Sequence, residues 1–138
     1  MSQIASNDTP VTQGVLMDQH DNTLVLGLLG TDHQLHLQHD TEVKVKIGGE
    51  QRIAGTIRAK ARRVDVVRTG GRYIEPVYGR PRRLQGRIVS IDPIANTITV
   101  DCGCPFVCQL MANQKTAAFV EGTLVSFDVE RGATFQSL

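Results

Sequence analysis

Apolar and polar residues alternate with a period of two along most of this 138-residue chain. In the clearest case, segment 42–47, Val43, Val45 and Ile47 share one face while the residues between them are charged. Such alternation is typical of strands that bury one side. Turn-forming residues separate the alternating segments, which predicts strands over 14–18, 23–28, 33–38, 42–47, 53–58, 64–67, 85–91, 97–100 and 123–129.

These strands predict an all-β, mainly antiparallel fold. The expected architecture is a small β-barrel or a tandem pair of OB- or SH3-like barrels that share a core. At most one short helix is expected, over 111–119, where Ala, Gln, Lys and Met dominate. A helix over 54–63 is the main alternative to strand in that region, because Ala, Lys and Arg favour helices.

The order of segments predicts four parts in the chain. Residues 1–10 are polar and end in proline, which is typical of a disordered tail. Three glycines and two prolines interrupt segment 69–84, which predicts a loop, an extended arm or a long open hairpin. The parts are therefore a tail over 1–10, a first β-rich half over 11–68, a basic Gly/Pro-rich arm over 69–84 and a second β-rich half over 85–138.

The two halves carry a weak internal repeat. Gln13-Gly14 recurs as Gln85-Gly86, an offset of 72, and Asn22-Thr23 recurs as Asn96-Thr97, an offset of 74. The repeat indicates duplication of a small barrel, with two extra residues in the second hairpin turn. The other explanation is that unrelated hairpins reuse Asn, Asp and Gly for the same turn chemistry.

The distribution of charge along the chain is more informative about function than the overall composition. The chain has a formal net charge of +1, yet segment 52–87 holds eleven of the fifteen basic residues and two acids, a net +9. The flanking segments carry −5 and −3. Exposed ion pairs contribute only about 0–1 kcal/mol each, so stability alone does not account for this block. The pattern indicates a polyanionic partner.

Nucleic acid is the partner that this chemistry favours, RNA before DNA. Arginine and lysine neutralise phosphates, and tyrosines between them can stack on unpaired bases. The predicted binding residues are Arg58, Lys60, Arg62, Arg63, Arg68, Arg72, Tyr73, Tyr78, Arg80, Arg82, Arg83 and Arg87. Of these, Arg80, Arg82 and Arg83 are expected to be exposed and unnecessary for folding.

A protein–protein or self-assembly role is the alternative. In that role the arm docks on a protein partner or on a second copy of the chain, adding to its sheet edge through Ile74, Pro76, Val77 and Tyr78. Binding to nucleic acid weakens steeply with salt, whereas an apolar docking contact does not. Salt dependence therefore separates the two hypotheses.

Three cysteines, Cys102, Cys104 and Cys108, are weak candidates for a metal or redox site. A zinc site usually shows two separated cysteine pairs, and this chain has one cluster of three. The cysteines also share parity with Ile98, Val100, Phe106 and Leu110, which favours burial in the core. His33, His36 and His39 cannot converge on one metal if they lie on a strand.

The remaining functional classes have little support in the sequence. No phosphate-binding loop, dinucleotide fingerprint, zinc-protease motif or nucleophile elbow is present, so we expect no enzyme activity and no cofactor. No apolar run reaches the roughly 18–20 residues that cross a bilayer, and no secretory signal is visible. An odd number of clustered cysteines favours a reducing compartment, and we expect a cytoplasmic protein without membrane contact.

Overall fold

The computed structural model describes residues 10–39, 43–44, 47 and 51–138, and it confirms the all-β prediction. Within these residues the chain forms twelve strands and one 3-10 turn over Thr116–Ala118. The strands are β1 (Thr12–His20), β2 (Thr23–Leu28), β3 (Gln34–Gln38), β4 (Arg52–Lys60), β5 (Asp65–Val66), β6 (Tyr73–Glu75), β7 (Tyr78–Gly79), β8 (Arg83–Asp92), β9 (Thr97–Asp101), β10 (Pro105–Gln109), β11 (Leu124–Asp128) and β12 (Thr134–Ser137).

Five strands close into a first ring in the order β1-β2-β3-β12-β4 and back to β1. All these pairings are antiparallel except the one between β3 and β12, where Gln38 pairs with Thr134. Four of the strands come from the first half of the chain, and the fifth comes from its end. A closed ring leaves no unpaired strand edge, which is how small barrels avoid sticky edges.

A second ring forms from β8, β9, β10, the end of β4, and β11. It closes through an isolated bridge between Ala61, just after β4, and Val129, just after β11. Strand β4 therefore serves both rings. Its first residues pair with β1 and β12, and its last residues run parallel to β10.

The pairing register repeats between the two rings with the offsets seen in the sequence. Gly14 pairs with Ile53 in the first ring and Gly86 pairs with Val125 in the second, both shifted by 72. The β-bulge that skips the residue after Leu16 recurs after Ile88. The β9 strand is shifted by 74 relative to β2, because its hairpin turn is two residues longer.

The core repeats as well, and it is continuous. Leu24 and Leu26 in the first ring and their equivalents Ile98 and Val100 in the second are all 0% exposed. Buried apolar residues from both rings, in the part of the chain that is described, belong to one cluster, which leaves out only Val25, Val107 and Leu124. Each fully buried aliphatic side chain contributes about 1.5–3 kcal/mol by leaving water. A shared core thus joins the two halves.

Segment 69–84 corrects the prediction of an exposed arm. Strand β6 pairs with β8, and β7 pairs with β3, so the segment is bonded to both rings. Ile74 and Leu84 are buried, which removes Ile74 from any docking edge in this conformation, while Val77 and Tyr78 remain exposed. The composition of segment 69–84 shows that it is rich in glycine and proline, but it does not show which of its residues are buried.

The helix expected over 111–119 is wrong, since only Thr116–Ala118 turns, as a 3-10 helix. The amide of Gln114 explains part of this: it accepts a hydrogen bond from the Val64 N–H (2.8 Å) and donates one to the Val64 carbonyl (3.1 Å). These bonds tie the segment to the chain after β4. The alternative helix over 54–63 is also wrong, because β4 runs through it.

Two predictions fall wholly or partly outside the described residues. Of the tail over 1–10, only Pro10 is described, and its carbonyl accepts a hydrogen bond from Thr56 (2.8 Å). Of the predicted strand 42–47, Val43 and Lys44 are described and are not strand, and Ile47 lies in a turn. The backbone of Val43 bonds to the side-chain amide of Gln19 rather than to a neighbouring strand.

Gly14 and Gly86 occupy equivalent positions at which neighbouring strands approach each other closely. Replacing either glycine with alanine is therefore predicted to have the same effect on stability. A Cβ atom at Gly14 would lie 2.6 Å from the Gly27 carbonyl oxygen, and one at Gly86 would lie 2.9 Å from the Cys102 Cα and against the Asp101 carbonyl. Because the obstacles are backbone, we expect Gly14→Ala and Gly86→Ala each to lower the free energy of unfolding by about 3 kcal/mol in urea titrations.

Gly71→Ala is the matched control, since a Cβ there meets nothing within 4 Å. It should leave the unfolding midpoint within about 0.5 kcal/mol of the parent. A Gly86→Ala protein as stable as the Gly71→Ala protein would contradict the described packing of β8 against β9.

Candidate functional site

Four arginines line one cleft of about 580 Å³ at the junction of the two rings. We call it the arginine cleft, and its lining residues are Arg62, Arg80, Arg82, Asp128, Val129, Glu130 and Arg131. Backbone hydrogen bonds fix its walls, because the Arg62 N–H donates to the Asp128 carbonyl (2.8 Å) and the Val129 N–H donates to the Arg82 carbonyl (2.9 Å). Three separate chain segments therefore deliver the four guanidinium groups.

The cations of this cleft act on one another. Loss of solvation lowers the pKa of Arg80, and repulsion by Arg131 and Arg82 lowers it further. Arg80 nevertheless stays charged at neutral pH, because the ordinary pKa of arginine is far above 7. Neither these three arginines nor Arg62 forms an ion pair with any acid in the described part of the chain. The cleft thus carries four guanidinium groups that no ion pair among the described residues neutralises.

Two carboxylates also line the arginine cleft. Asp128 is engaged, because Arg83 donates a hydrogen bond from Nη1 to its Oδ1 at 2.9 Å. Glu130 is exposed, and its side chain makes no ion pair within the described ranges. Glu130 is therefore the acid that most directly offsets the four arginines.

A second cleft of about 440 Å³ adjoins the first, since both include Glu130 and Arg131. It lies on the outer face of β4 and β10, and Arg58 and Lys60 project from β4 along one wall. These two residues alternate with buried Ile57 and Ala59, so they point away from the core. The basic surface thus extends from the junction onto the second ring.

The other predicted phosphate contacts are engaged elsewhere or lie apart from the clefts. Arg63 pairs with Asp65 (2.9 Å), and Arg72 pairs with Asp101 (3.0 Å). Arg87 donates to the Gly122 carbonyl at 2.9 Å. Arg68 follows β5, is exposed and lines none of the four clefts described for this surface. The basic segment therefore divides into residues that bond to the fold and residues that do not.

Like Arg80, Arg83 is half-buried rather than exposed, which corrects the expected accessibility of both. Besides its bond to Asp128, Arg83 donates from Nη2 to the hydroxyl of Ser126 at 2.8 Å. The hydrogen bond to Asp128 first, and the interaction with Tyr73 second, raise the pKa of Arg83. Tyr73 is likewise half-buried against Arg83. Both residues hold β8 against its neighbours.

Tyr78 has an accessible ring. It is 63% exposed and lines a third cleft, of about 420 Å³, together with Arg80 and Arg82. Its ring stands edge-on to His36, with ring centroids 4.7 Å apart and an interplanar angle of 76°. Of the two predicted stacking tyrosines, Tyr78 is the one whose face is open to a ligand.

Arg131 is the residue that the sequence did not reveal. It lies in the acidic C-terminal flank, far in sequence from the basic segment, yet it lines the arginine cleft and the cleft on the second ring. Gly132 follows with φ +96°, a backbone conformation that favours glycine, in the connection between β11 and β12. The position of Arg131 beside Arg80 depends on ring closure, which the sequence pattern does not specify.

The cysteines are buried in the core, as the parity of the sequence predicts. Cys102 and Cys108 occupy the positions equivalent to Leu28 and Leu37 of the first ring. Burial raises the pKa of all three thiols, that of Cys104 to about 12. A thiol that stays protonated is a poor nucleophile and a poor metal ligand.

The histidines do not converge. His33 is hydrogen bonded to the Ile74 carbonyl (2.9 Å), His36 contacts Tyr78, and His39 is buried. Among the described residues, no group of three or more His, Cys, Asp or Glu side chains is arranged to hold a metal ion.

Comparison with known proteins does not assign the chain to a family. No family model, no curated protein and no solved structure matches the chain. None of the helical turns in the described ranges is long and apolar enough to cross a membrane.

Replacing Arg83 and replacing Arg82 are predicted to affect stability differently. Arg83→Ala leaves the hydroxyl of Ser126, a residue 2% exposed, without its one partner in the described structure. We expect this change to lower the free energy of unfolding by about 1–2 kcal/mol. Arg82→Ala removes an unpaired cation and should change it by less than about 0.5 kcal/mol in the same urea titration. Equal losses from the two variants would contradict this division of the arginines.

The buried thiols predict a loss of stability at alkaline pH. Their pKa values are raised in the folded protein, so unfolded thiols ionise first, from about pH 8.5 upwards, and favour unfolding. Stability contributed by each thiol is full below that pH and falls by about 1.4 kcal/mol per pH unit until the folded pKa is reached. Urea unfolding at pH 8 and pH 10, with reductant present, measures the loss.

Cys108→Ala is the comparison, because its removal leaves all other titrating groups in place. The variant is less stable at every pH, but it should lose less stability than the parent between the two pH values. Equal losses in parent and variant would mean that Cys108 ionises as readily in the folded protein as in the unfolded one.

Proposed function

We propose that this protein binds single-stranded nucleic acid, RNA before DNA, without catalysing a reaction. The observation that carries the proposal is the convergence of Arg62, Arg80, Arg82 and Arg131 without carboxylate partners, beside the exposed ring of Tyr78. A phosphate among these arginines relieves their mutual repulsion and releases counterions from the nucleic acid.

The shape of the surface favours a single strand over a duplex. Its cations lie inside adjoining clefts rather than along one protruding helix or ribbon that could enter a major groove. A flexible strand can follow such a surface, with phosphates on arginine and a base on Tyr78.

Ring topology gives further support. The first ring places its last strand, β12, between the third and fourth strands, as a Greek-key barrel of the OB type does. Barrels of this type bind oligonucleotides on the face of strands two and three. In the second ring those strands are β9 and β10, whose outer face forms one wall of the cleft that holds Arg58 and Lys60. A cytoplasmic location, where buried thiols stay reduced, is compatible with this role.

Salt-dependent binding tests the proposal. If Arg58, Lys60, Arg62, Arg80, Arg82 and Arg131 each meet one phosphate, affinity for a single strand falls about 300-fold between about 50 and 200 mM salt. Fluorescence anisotropy with labelled single-stranded RNA, duplex RNA and duplex DNA at both salt concentrations measures this slope. We expect single-stranded RNA to bind most tightly.

Three variants locate the interaction. Arg80→Gln and Arg131→Gln should each reduce the salt slope by about 0.7, and Glu130→Gln should tighten binding because it removes the acid facing these arginines. Arg72→Gln removes the same charge from a residue outside the clefts and is the control. No binding at the lower salt, or equal losses from Arg72→Gln and Arg131→Gln, would reject the arginine cleft as a nucleic-acid site. An affinity that does not change with salt concentration would instead favour a protein partner.

A further inference from the structure

We infer that the site has two equivalent lobes, one on each ring, and that a single strand crosses from one to the other over Arg131. This inference rests on the proposed function and specifies the form of its ligand. It predicts a strand with a phosphate on Arg131 and at least one base on each side. The matching register of the two rings supports this inference independently of charge.

The structure contains two clefts that are related by the repeat. One, of about 220 Å³, lies on the first ring and includes Thr23, His36 and Gln38. The other is the 440 Å³ cleft on the second ring, which includes the residues at the equivalent register positions: Thr97, Val107 and Gln109. The same three strand positions therefore line a cleft in each ring.

Arg131 lies where the two lobes meet. Glu130, Arg131 and Gly132 line both clefts, and the arginine cleft also includes Arg131. Arg80 lines both the arginine cleft and the lobe on the first ring. A phosphate held by Arg80 and Arg131 would thus have one lobe on either side.

Both lobes offer groups that can hydrogen bond to base edges. Gln38 has no side-chain hydrogen bond within the described residues, so its amide can both donate and accept. Gln109 donates from Nε2 to the carbonyls of Ala95 (3.0 Å) and Asn96 (3.1 Å), which leaves its Oε1 as an acceptor. Thr23 and Thr97 each add a hydroxyl.

The lobes differ in size and charge, which predicts a stronger and a weaker half. Arg58 and Lys60 line the second-ring lobe, whereas the equivalent positions on the first ring are Gly132 and Thr134. The larger, more basic lobe should hold a short oligonucleotide by itself. Longer strands gain the second lobe at high effective concentration, so affinity should rise with length and then reach a plateau.

Photo-crosslinking at about 50 mM salt tests this arrangement with oligouridines of about 2–12 nucleotides that contain 4-thiouridine. Peptide mapping of the crosslinked protein should find label on both β3 and β10 with the longest strands. The shortest strands should label β10 before β3. Arg131→Gln should reduce both labels together, while Arg72→Gln should reduce neither.

Matched isosteric variants separate the lobes. Thr23→Val and Thr97→Val each remove one hydroxyl at equivalent positions, and each should weaken the longest strand by about two- to tenfold. With the shortest strand, Thr97→Val should weaken binding and Thr23→Val should not.

Two results would overturn the two-lobe arrangement: crosslink label confined to one ring, or an affinity that does not depend on the length of the oligonucleotide. If binding is still salt-dependent in either case, the proposed function stands. Absence of any binding at the lower salt would remove both. Label on β3 and β10 that persists undiminished in Arg131→Gln would also overturn the inference, because the two lobes would then act separately.

Discussion

The structure depends on hydrogen bonding along β4, since this one strand completes both rings. Its N–H and C=O groups pair with β1 and β12 at one end and with β10 at the other, and the chain continues into the bridge between Ala61 and Val129. After β11 in the second ring, the chain returns to the first ring as β12 and closes it. Removing either strand would leave open edges in a barrel, which are costly to bury and prone to association. The halves therefore stabilise each other.

Ring closure also creates the clefts. As β4 passes from one ring to the other, its outward side chains, Arg58 and Lys60, follow the junction, and Arg62 continues beyond it. The turn that carries the chain from β11 into β12 crosses the same junction and brings Arg131 there. Because these contacts join residues far apart in sequence, they form only when the non-local pairing forms. The candidate site is thus a property of the joined rings and of neither half alone.

Much of the fold could be predicted from the sequence because strand pattern and turn chemistry are local. Alternation located most strands, the offsets at Gln-Gly and Asn-Thr matched the register, and shared parity placed Cys102 and Cys108 in core positions. A period of two shows which face of a strand is buried, but it does not show which strand lies alongside. The parallel pairing of β4 with β10, the bonding of segment 69–84 to both rings and the position of Arg131 all depend on that neighbour. The same limit explains why Arg83 was expected to be exposed.

The chain contains two kinds of arginine, and the difference between them bears on the proposed function. Arg63, Arg72, Arg83 and Arg87 each bond to a carboxylate or a carbonyl, so the fold accounts for their charge. Arg62, Arg80, Arg82 and Arg131 converge from separate segments without such partners, and loss of solvation, followed by repulsion from Arg131 and Arg82, lowers the pKa of Arg80. Folding gains nothing from bringing like charges together. Natural proteins depart from local stability rules chiefly at functional sites. This departure is the reason we propose that the second group binds an anion that the chain itself does not supply.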